Sequence, residues 1–136
     1  MDREQKSKIK VFTLAQANQT LPLVRRIVED IVRLHDEASD SRREADRCTE
    51  QGKTLQADEA RGRLQDLVID LTSFIAELEG LGCQLKDTAQ GLVDFPARLD
   101  DRVVLLCWRR GEPEIRYWHE IEGGFAGRQP VQGVFA

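Results

Sequence analysis

The chain has 136 residues, 40% of them hydrophobic and 32% charged, with a formal net charge of −4. That length fits one domain, and long helices with a single apolar stripe produce such a balance of apolar and charged residues. Net acidity excludes a general nucleic-acid binder, which needs clustered positive charge to displace counterions.

Charge is spread evenly, with ten basic and ten acidic residues in 1–50 and ten against fourteen in 51–136. Cys48, Cys83 and Cys107 are odd in number, with no Cys-x-x-Cys spacing. This argues against a disulfide framework and for a reducing cytoplasm. No apolar run approaches the ~20 residues of a membrane span. The charged N-terminus has no apolar segment of signal-peptide type behind it. The expectation is a cytoplasmic protein with no membrane partner.

Residues 1–11 read as a polar, flexible arm. Thr13 then caps a helix, with Gln16 reaching back to complete a capping box and Phe12 stapling onto Ala17. Pro22 falls in the next turns; it either kinks the helix or opens a second one after a break at residues 19–21. Leu21, Val24, Val28, Ile31, His35, Ala38, Arg42 and Ala45 follow alternating steps of three and four, a heptad seam. Leu23, Ile27 and Leu34 widen its first half. Residues 36–63 are dominated by charged and polar side chains and read as the exposed tip of a helical hairpin, with Gly52 near the turn. The second helix, about 54–79, carries Leu64, Leu67, Val68, Leu71, Phe74, Ile75 and Leu78, dense only at the end far from the tip.

Two helices cannot cover both stripes, so a third layer is required. The C-terminal segment and a second copy of the chain are both expected to contribute to it. Gly80-Leu81-Gly82 ends the second helix. Gly91 to Pro96 reads as a short strand stopped by proline, and Val103 to Trp108 pairs with Ile115 to His119 across a turn at Arg110-Gly111. That register places Val104, Leu106, Trp108, Ile115, Tyr117 and His119 on the face toward the helices. Val103, Leu105, Cys107, Glu114, Arg116 and Trp118 fall on the other. The fold class is therefore α+β, mainly α: a long antiparallel helical hairpin, coiled-coil-like, with a small C-terminal β-hairpin module packed at its base. A single domain, 1–136, divides into the arm at 1–11, the helical hairpin at 12–80 and the β-hairpin and loop module at 81–136.

Three separated motifs occur in order. They are Phe12-Thr13-x-x-x-Ala17-Asn18-x-x-Leu21-Pro22; Gly82-Cys83-x-Leu85-Lys86-Asp87 with Gly91-Leu92-Val93-Asp94-Phe95-Pro96; and Leu106-Cys107-Trp108 through Tyr117-Trp118-His119 to Gly124-Phe125-Ala126-Gly127-Arg128. Together they resemble the bacterial family catalogued as domain of unknown function 2203, over nearly the whole chain. The resemblance brings no activity with it and agrees with a cytoplasmic location.

Among candidate site residues His119 stands first, because an imidazole beside Glu120 and Glu122 is able to bind a metal or act as a base. Its bland reading is a strand-end histidine bonded to a carbonyl, and the two-histidine helical spacing of a metal motif is absent. His35, on the seam, reads as structural. Cys83 and Cys107 read as small buried thiols; reactivity would need a cation such as Lys86 or Arg116 nearby, and no Cys-His pair with a third orienting group is evident. Asp94 is expected to cap a turn or pair with Arg128, and Arg98, Glu112 and Arg128 read as structural ion pairs or an anion pocket. The Gly-Gly-Phe-Ala-Gly-Arg run lacks the Lys-Ser ending of a phosphate loop.

The expected function is non-enzymatic: a dimer formed through the helical stripe, whose motif-rich module binds a partner or small ligand with Asp94, Trp108, Glu112, Tyr117, Trp118, His119 and Arg128. No cofactor is strongly implied. A protein partner docking at the charged hairpin tip is a further expectation. The alternative is a small metal- or anion-dependent enzyme using His119 with carboxylates, its metal set being His119, Glu120 and Glu122.

Overall fold

Thr13 opens the first helix as the sequence predicts. Its side chain accepts from the Gln16 backbone N–H at 3.0 Å, and the Gln16 side chain accepts from the Thr13 N–H at 3.0 Å. The computed structural model describes residues 10–135; the expected flexible arm falls largely on residues outside these. Helix α1, Leu14–Glu50, runs without interruption through Pro22 for 37 residues. The alternative of a second helix opening after a break at 19–21 is therefore wrong. Pro22 lies on the exposed side, between the buried Leu21 and Val24. The missing N–H forfeits one bond to the Asn18 carbonyl, and packing on both sides outweighs that loss.

The turn at Gly52 (φ 72) is a Schellman motif: Lys53 N–H donates to the Cys48 carbonyl at 2.8 Å and Gly52 N–H to that of Thr49 at 3.1 Å. Helix α2, Thr54–Glu79, returns along α1. The tip is more than a solvated end, because Ser41, Ala45, Cys48, Ala57 and Ala60 are buried there. Small side chains bring the two helices together beneath a charged exterior. α2 ends at Gly80, which is right-handed (φ −62); the left-handed glycine is Gly82, at φ 105.

Five strands follow: β1 Gln84–Asp87, β2 Leu92–Leu99, β3 Arg102–Arg109, β4 Tyr117–His119 and β5 Gln129–Pro130. They form one antiparallel sheet in sequence order. The β module is thus larger than a hairpin. Its longest pairing, β2 with β3, turns at Asp100 (φ 49) and Asp101 (φ 66), a left-handed pair of the kind a two-residue hairpin needs. Pro96 does not stop β2. β1 covers β2 only at Leu92–Asp94, so Pro96 sits on a free edge where no sheet donor is demanded, and its carbonyl accepts from Phe12 N–H at 2.7 Å.

The β3–β4 pairing is correct in partners but not in register. Leu105 faces His119, Leu106 faces Trp118 and Cys107 faces Tyr117. Paired residues share a face, so Trp118 lies inside with Val104, Leu106 and Trp108, whereas Tyr117 and His119 lie outside with Leu105 and Cys107. The expected faces of β4 are inverted. The cause is the connection at 110–116, which is longer than a tight turn. Trp108 Nε1–H donates to the Glu112 carbonyl at 2.9 Å, and Arg109 N–H to the Glu112 carboxylate at 2.7 Å.

Three tethers join this connection to α1. Ile115 N–H donates to Asn18 Oδ1 at 2.8 Å, Arg25 to the Pro113 carbonyl at 2.9 Å, and Arg110 grips Glu29 at 2.7 and 2.9 Å. Positions 18, 25 and 29 share one helix face.

The inner sheet face supplies the third layer. Val93, Phe95, Ala97, Val104, Leu106, Trp108 and Trp118 pack in one core with Leu21, Val24, Ile27, Val28 and Ile31 of α1 and Leu78 of α2. Burying each large side chain contributes about 1.5–3 kcal/mol. Leu71, Phe74 and Ile75 pack against this core only in part, and Leu23, Val68 and Ile69 remain exposed.

Of the three tethers, the one to Ile115 satisfies a donor on a fully buried residue. Asn18→Ala is expected to lower stability by about 1–2 kcal/mol, read by chemical denaturation. Arg110→Ala, which removes an exposed ion pair, is expected to cost under about 1 kcal/mol and to lose its effect at high salt.

Candidate functional site

The outer face of the sheet carries the chemistry. Asp94 on β2 stands opposite Cys107 on β3, and His119 on β4 stands opposite Leu105. Asp94 and His119 reach toward each other over β3, with Nε2 3.2 Å from Oδ1. Both side chains are almost wholly buried, at 4% and 3% exposure. Cys107 joins them, the three candidate ligand atoms lying within 4.8 Å of one another.

The proton positions follow from donor chemistry. His119 Nδ1 lies 2.7 Å from the Glu120 carbonyl. A carbonyl only accepts, so Nδ1 carries a proton. Nε2 then faces the Asp94 carboxyl, and the two buried side chains serve as each other's partner at 3.2 Å. Cys107 stays a thiol beside them. Burial, and then the negative charge of Asp94, push its thiol up to about 12.

Above this cluster is a cavity of about 180 Å³, lined by Asp94, Cys107 and His119 at its floor and by Lys86, Ile121 and Phe125 among its walls. Lys86 reaches it from the bulge in β1 between Leu85 and Asp87. Phe125 reaches it from the short 3₁₀ turn Phe125–Gly127.

Beside the cavity stands a second device. The Arg128 guanidinium lies between the rings of Tyr117 and Phe125, 4.1 and 4.5 Å from their centroids, and grips both Glu112 oxygens at 2.6 and 2.8 Å. The same group reaches the Cys107 carbonyl at 3.3 Å. Its Nε is buried without a partner, spent between the two rings.

Asp94 thus pairs with His119, and Arg128 with Glu112; the expected Asp94–Arg128 pair does not form. The expected metal set is also broken up. Glu120 is turned to Arg102, held at 3.0 and 2.7 Å, and Glu122 is exposed. Trp108 and Trp118 belong to the core face, which leaves them no contact with the cavity. His35 lies far along α1 in a groove with Leu64, Val68 and Leu71, its Nδ1 3.4 Å from Asp36. Arg98 is exposed at the end of β2.

Residues 10–131 match the protein family described as "Uncharacterized conserved protein (DUF2203)". The chain belongs to the DUF2203 family. No curated protein and no solved structure matches it. The DUF2203 match spans α1, α2 and all five strands, and so includes every residue of the outer-face cluster and of the Arg128 clamp.

Sequence reading missed the assembly of Asp94, Cys107 and His119 although it named each one. The signal lay in the register, which brings three separately unremarkable residues together. Lys86 was named only as a cation that could activate a cysteine, and Leu105 and Phe125 carry no chemical mark of their own.

Cys83, on the inner side, gives a pH test. Burial pushes its thiol up to about 11, and the thiol donates to the Leu78 carbonyl at 3.4 Å. Above the ordinary thiol value of 9.0 the unfolded chain releases a proton that the folded chain keeps. Stability is therefore lost as pH rises from about 9 toward 11. Compared with Cys83→Ala in denaturation curves, the wild type is expected to decline more steeply across that window, with no difference in slope below about pH 8.

Proposed function

We propose that this protein is a small-ligand binding module without catalytic turnover, its helical hairpin serving as scaffold and its outer sheet face as the site. The observation that carries this reading is a buried His119–Asp94 pair forming the floor of a cavity. Burying such a pair is costly, and a well-packed apolar pair of similar volume would often be more stable. A polar floor within partly apolar walls is the composition of a ligand pocket. The size limits the ligand. At about 180 Å³ the cavity lies below the ~300–1,000 Å³ of drug-sized pockets, so it suits an ion or a small polar molecule of a few non-hydrogen atoms. Arg128, clamped by Glu112 and stacked on Tyr117, supports the wall rather than offering a free anion site.

The same reading includes a homodimer formed through α2. Val68 and Ile69 are exposed at 44% and 61% on a helix whose Leu64, Leu67, Leu71, Phe74 and Ile75 are only half-buried, and a second copy would cover them. Three free thiols support a reducing, cytoplasmic setting. Among the described residues no helix is long and apolar enough to cross a membrane. A partner at the hairpin tip has only its charge in its favour.

The test is a thermal-shift panel of divalent cations, phosphate and small mono- and dicarboxylates. At least one member is expected to raise the melting temperature of the wild type by several degrees and to leave His119→Gln unmoved. A panel without any His119-dependent shift removes the reading. Light scattering tests the dimer: Val68→Glu/Ile69→Lys is expected to convert a two-chain species into a folded monomer, and a wild-type monomer would contradict it.

A further inference from the structure

The three side chains on the cavity floor are a nitrogen, an oxygen and a sulfur donor, from three different strands of one rigid sheet. We propose that Asp94, Cys107 and His119 form a zinc-type metal site, with the fourth coordination position open to the cavity. This deepens the small-ligand reading and rests on it.

Four observations carry the assignment. The donor set is one zinc prefers, namely imidazole, thiolate and carboxylate. The three atoms already lie within 4.8 Å of one another; around a tetrahedral ion, bonds of ~2.0–2.3 Å put donors about 3.3–3.8 Å apart. Small rotamer adjustments would bridge the difference.

The third observation concerns His119. Its Nδ1–H is committed to the Glu120 carbonyl at 2.7 Å, which leaves Nε2, 3.2 Å from Asp94 Oδ1, as the nitrogen turned to the cluster. Metal-bound histidines are held in just this way by the ring nitrogen that does not bind. Glu120 is itself fixed by Arg102, so the carbonyl that orients the ring sits on an anchored residue.

The fourth is the charge of the donor set. A divalent ion held by one thiolate, one carboxylate and a neutral imidazole forms a neutral unit, so no net charge is buried with it. Protons carried by those donors leave to solvent as the ion binds. Three protein donors and an open fourth position differ from a closed structural zinc site, and about 180 Å³ above the floor holds several waters or one small acid.

Cobalt is the reporter, because Co²⁺ replaces Zn²⁺ and gives a thiolate charge-transfer band in the near ultraviolet. The full chain, purified without an affinity tag and stripped with a chelator, is titrated with Co²⁺ and then with Zn²⁺. One Co²⁺ per chain is expected, with the thiolate band and its loss on Zn²⁺ addition. Cys107→Ser is expected to abolish the band, while Cys83→Ser and Cys48→Ser keep it. His119→Gln and Asp94→Asn are expected to weaken Co²⁺ binding by at least about tenfold, with unchanged circular dichroism before metal is added. Should Cys107→Ser fail to fold, retention of the band in both other cysteine variants assigns it to Cys107. Absence of saturable Co²⁺ binding, or binding without a thiolate band, overturns the metal site. If a metal-free member of the thermal-shift panel still protects through His119, the ligand pocket survives that result; if none does, both readings fall.

Discussion

The register of β4 against β3 decides what this protein has to offer a ligand. A strand alternates its side chains, so a shift of one residue exchanges the two faces. As paired, Trp118 enters the core and His119 emerges beside Asp94 and Cys107. With the faces exchanged, His119 would be sealed against Leu106 and Trp108, and Trp118 would occupy the cavity. Strand β4 is only Tyr117–His119, too short to hold a register by its own bonds. The connection at 110–116 holds it instead, and α1 holds the connection through Asn18, Arg25 and Glu29. A feature of the helical scaffold thus places the histidine of a site on the opposite side of the sheet.

This arrangement divides labour between the two faces. The inner face is apolar apart from its indole nitrogens, and it packs with α1 to supply stability. The outer face can then carry groups that stability alone would disfavour. The His119–Asp94 pair is buried, and taking two such polar groups out of water is offset only by good hydrogen bonding. It has that support: Nδ1 is satisfied by Glu120, and the cavity keeps one side of the cluster approachable. Arg128 uses the same solution. Its charge is matched by Glu112 and its flat faces by Tyr117 and Phe125, which braces the loop that walls the cavity.

Much of the scaffold was legible in the sequence. The capping box at Thr13 and Gln16, the seam through Leu21, Val24, Val28 and Ile31, and the turn at Gly52 are local rules acting over a few residues, and the helices follow them. The family match likewise agrees with the three ordered motifs. What was not legible depends on contacts distant along the chain. Pro22 was expected to disturb a helix that packing on Leu21 and Val24 keeps intact. Pro96 was expected to end a strand that passes through it, because edge position depends on how far β1 extends. Asp100-Asp101 carried a recognisable hairpin signal, two acidic residues able to adopt the left-handed conformation between apolar runs, and it was passed over. The register of β4 was set by the loop length and by Asn18, 97 positions away from Ile115. The face of His119, and so the candidate site, was lost with it.

The most direct test is a set of proton–proton contacts in solution by nuclear Overhauser spectroscopy on selectively labelled protein. The His119 ring is predicted to show contacts with the β protons of Cys107 and with Leu105, while the Trp118 indole shows contacts with Phe135, whose ring lies 6.0 Å away. Contacts from the His119 ring to Leu106 or Trp108 would contradict the register, and with it the site.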